Sequence, residues 1–148
     1  MTERVARAAL LALLVLASAC SEPTSGPVRI VWGRHACDHC GMAISEQAFA
    51  AEVRLGPREV MRFDDLGCAL AWLESKGGPA VASEVWVMDQ DRGEWIDARQ
   101  AFYRPDQRTP MAYGFGAIRD AAPGGVDFET ARRTILERTH DRSARQHP

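Results

Sequence analysis

The chain has 148 residues, a formal net charge of −2 and 26% charged residues. That balance supplies no basic stripe for nucleic acid, so no partner of that class is expected. A hydrophobic share of 46% suits one domain of about 120 residues once a leader is removed.

The opening, "MTERVARAALLALLVLASAC", sets Arg4 and Arg7 ahead of an apolar run from Ala8 to Val15. The run is shorter than the ~20 residues needed to cross a bilayer. With the small residues that follow, it has the layout of a secretory signal. "LASAC" resembles the lipobox of bacterial lipoproteins, with Ala17 where leucine is commoner. That resemblance implies a signal peptide over residues 1–19 and lipidation of Cys20. "SEPTSGP" completes a polar tether over residues 20–27. Ser21 after Cys20 implies, by sorting rules, the outer membrane of a Gram-negative cell, with the domain in the periplasm. Of the four cysteines, lipidation of Cys20 leaves Cys37, Cys40 and Cys68. An odd number in an oxidising compartment leaves at least one thiol unpaired.

From residue 28 to 139 the patterns predict one α+β domain. "PVRIVWG" reads as an entering strand. "AFAAEVRL" and "REVMRF" flank Gly56 and Pro57 as a β-hairpin. Asp64 is the expected N-cap of a helix with Leu66, Ala69, Leu70 and Leu73 on one face and Gly77 as its stop. "SEVWVMD" is a strand with Val85 and Val87 on one face, and "DRG" turns into "EWIDA". Met61 and Met88 read as core filling within strands, and Trp86, Trp95 and Phe102 as core or half-buried strand residues. "RQAFYRPDQR" reads as a solvated loop, and "YGFGAIR" as a strand. Asp127 caps a closing helix that buries Phe128, Ala131, Ile135 and Leu136. Residues 140–148, with His140 and His147, read as a disordered tail. Strand, strand, helix, strand would then occur twice.

The chemistry concentrates in "HACDHCGMAIS", where His35, Cys37, His39, Cys40 and Met42 are crowded together. Covalent haem attachment needs C-x-x-C-H, and Gly41 stands in the last place. A structural zinc site wants a second ligand pair. A thioredoxin-like dithiol wants C-x-x-C opening a helix, and Gly41 starts a helix poorly. A plain Cys37–Cys40 disulfide stays open. Cys40 and Met42 offer a thiolate and a thioether. In an extended segment these would share a face, ~6.5–7 Å apart along the backbone. That soft set selects Cu(I). Met111, after Pro110, sits in a turn-like stretch where core packing is a poor explanation. Cys68 reads as a buried, inert thiol. Asp64 and Asp65 read as carboxylates at a helix N-terminus, and no nucleophile accompanies them for catalysis.

The blocks "CDHCGMAIS", "MRFDDLGCALAWL", "VWVMDQDRGEWIDARQAFY", "TPMAYGFGAI" and "GGVDFE" follow "LASAC" and cover most of residues 36–129. In that order they resemble the NosL family, lipoprotein copper chaperones that assist assembly of nitrous oxide reductase. The resemblance implies a fold of two small ββαβ units. It implies Cu(I) ligands at Cys40, Met42 and Met111, and a carrier rather than an enzyme. It also implies a copper donor, and as acceptor nitrous oxide reductase or another periplasmic copper enzyme. Two departures stand out. Ala112 follows Met111 where members often have glycine, and Cys37 and His39 enrich the site as auxiliary ligands that let zinc compete. Two rivals use Cys37 and Cys40: a thiol–disulfide oxidoreductase, and a zinc-binding lipoprotein.

Overall fold

The computed structural model describes residues 23–146. The signal segment, Cys20 and His147 lie outside the described residues. β1, Ala51–Gly56, and β2, Glu59–Phe63, form the antiparallel hairpin around Gly56 and Pro57. Helix α1, Leu66–Ser75, follows, and β3, Glu84–Met88, returns antiparallel on the free side of β1. β4, Trp95–Asp97, adds to β3, giving the order β2-β1-β3-β4. A second ladder joins β5, Phe102–Arg104, to β6, Gly116–Ile118. Helix α2, Phe128–Gln146, closes the chain. The α+β class is as the sequence indicates, and β1-β2-α1-β3 is one ββαβ unit. The second half contributes β5, β6 and α2, with Val126 bridged to Tyr103.

The two helices pack on each other; α1 buries its expected stripe, and α2 buries Phe128, Ala131 and Ile135 with Leu136 half-buried. Ala69, Leu70 and Leu73 of α1 join Ala131 and Ile135 of α2 in one core with Val53, Val85 and Val87. Helix α1 ends where Gly77 and Gly78 adopt positive φ. Gly78 N–H reaches Leu73 O at 2.9 Å and Gly77 N–H reaches Glu74 O at 3.3 Å. This is a Schellman stop, which glycine makes without a Cβ penalty. Among the described residues no helix is long and apolar enough to cross a membrane.

β1, an interior strand, is covered on both faces. Ala51 and Val53 join the core, while Glu52 and Arg54 are also buried. Both charges hold the N-terminal segment. Arg54 donates to Gly26 O at 2.6 Å, and Glu52 accepts from Val28 N–H at 2.8 Å.

Several expectations change. Residues 27–33 form no strand: Val28 and Ile30 are buried, but Val28 N–H bonds the Glu52 carboxylate and Gly33 N–H bonds Ile44 O, outside any ladder. The cap of α1 is Asp65, not Asp64, because its carboxylate is the one that reaches Gly67 N–H, at 2.9 Å. The stretch read as a solvated loop contains β5, and Tyr103 is fully buried with its hydroxyl on Ala98 O at 2.7 Å. The strand expected over 113–119 shortens to β6. Residues 140–146, expected to be disordered, continue α2, since no glycine or proline interrupts the chain before Pro148.

Candidate metal centre

The "CDHC" motif sits at the tip of a narrow loop. Ala36 bridges Ala43, Ile44 N–H bonds His35 O at 2.9 Å, and Gly33 N–H bonds Ile44 O at 2.8 Å. At the tip Cys37 N–H bonds Met42 O at 2.7 Å and Gly41 N–H bonds Cys37 O at 2.9 Å. Gly41 turns the chain with φ of 76°, a conformation that glycine adopts freely. Cys40 and Met42 therefore lie across a turn, not along one extended face. The loop is docked on β2 through Asp38: its N–H bonds Arg62 O at 2.8 Å, and its carboxylate accepts Arg62 N–H at 2.6 Å.

That docking places the loop over the start of α1. The sulfurs of Cys37, Cys40 and Cys68 and a carboxylate oxygen of Asp64 all lie within 4.8 Å of one another. All three cysteines are free thiols. Cys37, Cys68 and Asp64 are buried and Cys40 is half-buried. The Cys40 thiol donates to Asp64 at 3.6 Å. Cys68 is thus buried as expected, but it belongs to a cluster of donors. Its signal was the "DDLGC" spacing, which sets Asp64 and Cys68 at either side of the Asp65 cap.

The cluster holds its charge unevenly. The Cys68 thiol, with backbone N–H groups of Cys40, Asp64 and His39, holds Cys37 down at about 6 against the desolvation of burial. Desolvation pushes Cys40 up to about 11, aided by the neighbouring Cys37 and Asp64. Cys68 is pushed well above the ordinary thiol range, mainly because it shares its proton with Cys37. One thiolate is therefore stored among two thiols. Soft sulfurs of this kind bind Cu(I) and zinc, both as thiolate complexes.

Met111 reaches the same helix start at Asp65. Its N–H donates to Asp65 Oδ2 at 3.1 Å, and its side chain is partly buried against the core. Ala112 takes a positive φ of 56°, so the loop keeps the left-handed turn that a glycine would make more easily. Met42 is 54% exposed. His39 is also exposed. Both loops named by the sequence thus meet at consecutive residues of one helix start.

No family model matches the chain, and no curated protein matches it. Among solved structures it is similar to the crystal structure of the copper chaperone NosL from Shewanella denitrificans. The TM-score is 0.54 at 18% identity, covering 78% of this chain and 89% of that one. The chain has the NosL fold. In that fold the donor cluster lies at the junction of the N-terminal loop, β2 and the start of α1.

Proposed function

We propose that the protein is a lipid-anchored periplasmic carrier that binds Cu(I) and passes it to a copper enzyme, nitrous oxide reductase in the first instance. The observation that carries this reading is the gathering of three thiols and a carboxylate within 4.8 Å of one another. The sequence resemblance and the NosL fold support it. Copper is the cargo. Cys40, half-buried beside the buried sulfurs, ligates as a thiolate once the ion displaces its proton, with Met42 and Met111 as neutral thioethers. Cys37 supplies a thiolate behind it, held by the Cys68 thiol. An exposed Met42 leaves a side from which an acceptor's ligand attacks, so copper leaves by ligand exchange.

The test is competition for Cu(I) against a chromophoric chelator, with the protein reduced. Tight one-to-one binding is expected, strongly weakened in Cys40→Ser and measurably in Met111→Leu. Binding untouched in Met111→Leu, and lost only with Cys37 or Cys40, would replace this reading with a dithiol site. The lowered Cys37 thiol beside Cys68 favours that second reading, a thiol–disulfide oxidoreductase. It requires disulfide exchange with a model substrate that survives loss of both Met42 and Met111.

A further inference from the structure

One buried residue joins the thiol cluster to the methionine loop without being a donor in either. Asp65 is 1% exposed. Its Oδ1 caps α1 through Gly67 N–H at 2.9 Å. Its Oδ2 accepts the Thr109 hydroxyl at 2.6 Å and Met111 N–H at 3.1 Å. Thr109 Oγ1 in turn accepts the N–H groups of Tyr113 at 3.0 Å and Gly114 at 3.3 Å. Capping alone does not explain a carboxylate here, since serine, threonine or asparagine caps as well. The second oxygen does: it holds two donors from a loop more than forty residues along the chain. Charge-assisted bonds of this kind are roughly twice as strong as neutral ones. On one side of Asp65 in the chain, Asp64 accepts the Cys40 thiol; on the other, Cys68 lies in the first helical turn.

We infer that Asp65 is a positioning residue for copper. It keeps Met111 in register with the thiols and so sets Cu(I) affinity without touching the ion. This rests on the Cu(I) reading of the site. Groups that orient metal ligands typically govern 10- to 100-fold in affinity, about the size expected here.

The full chain, reduced, would be titrated with Cu(I) against the chelator, and its copper–sulfur shell counted by X-ray absorption. Asp65→Asn keeps the cap oxygen but turns an amide donor toward Thr109 and Met111. Thr109→Val removes the hydroxyl, and Thr109→Ser restores it. Affinity is expected to fall about 10- to 100-fold in Asp65→Asn, by less in Thr109→Val, and to recover in Thr109→Ser. Asp65→Asn and Thr109→Val should lose one sulfur at copper, and adding Met111→Leu to Asp65→Asn should cost nothing more. Losses that add in full, or an unchanged sulfur count, overturn the inference. Circular dichroism and the urea midpoint confirm folding; where Asp65→Asn unfolds, the Thr109 pair decides. An unchanged Met111→Leu sinks the Cu(I) reading itself. A weakened Met111→Leu beside an unaffected Asp65→Asn sinks only the role of Asp65.

Discussion

At the scale of single residues, the three thiols differ in what a metal must displace. Cys37 is held at about 6, so it is a thiolate at neutral pH. Cys40, at about 11, still carries its proton. Because a ligating thiol must lose its proton, affinity follows pH with the number of protons expelled. Between pH 6 and 9 binding through Cys40 expels one, and the logarithm of affinity should rise by about one per pH unit. Below about 6 Cys37 also takes up a proton. If Cys37 ligates, the slope steepens toward about two there; if it only neighbours the ion, the slope stays near one. Chelator competition from pH 5 to 9 separates the cases. The direction is the same in both: copper is lost as pH falls.

At the scale of elements, α1 shows why part of the site was hidden in the sequence. The helix, its glycine stop and the hairpin before it were legible from periodicity and turn residues. Cys40 was legible as a soft donor, but the extended face expected to set Met42 beside it is a turn at Gly41. The joining of Cys37 and Cys68 was not legible, because it depends on how the Asp38 loop docks on β2. β5 was legible only at Phe102, because three residues beside Pro105 become a strand only when β6 returns to pair with them. The shift of the cap by one residue has the same origin: Asp65 is preferred because its other oxygen is already occupied by Thr109. Gly67 gives a sharp check on this packing. The Tyr113 ring lies so close on α1 that a Cβ at Gly67 would fall within it. In an open helix Gly→Ala stabilises by about 1 kcal/mol. Here Gly67→Ala is expected to destabilise instead, overpacking costing about 1–3 kcal/mol beyond that gain. The urea midpoint should drop, and Gly67→Ala with Tyr113→Leu should recover part of the loss. A stabilised Gly67→Ala would mean that the ring does not rest on the helix.

At the scale of the whole molecule, the segment that presents the metal loop is held to the sheet chiefly by side chains. Residues 27–33 make no ladder with β1. Instead Arg54 grips Gly26 O at 2.6 Å and Pro57 O at 2.8 Å, and pairs with Glu84 at 3.4 Å. Glu84 also accepts Gly26 N–H at 2.7 Å and the Trp86 indole N–H at 2.8 Å. Alternation in "AEVRLG" alone would leave Glu52 and Arg54 facing water; their burial follows from the segment laid over them. The start of the segment is thus fixed to the domain at Gly26, inside the stretch read as a tether. Breaking one partner of a buried pair costs about 3–5 kcal/mol. Glu84 keeps access to water, 25% of its side chain, so Arg54→Met should fall at the low end, about 3 kcal/mol. The loss should also be local. Arg29 is exposed within the segment, and trypsin reaches its backbone once the segment lifts. Cleavage at Arg29 that quickens more than the urea midpoint accounts for would show that the segment opens while the sheet stays folded. Cleavage that tracks global unfolding alone would instead make segment and sheet one cooperative unit, with the metal loop as stable as the core beneath it.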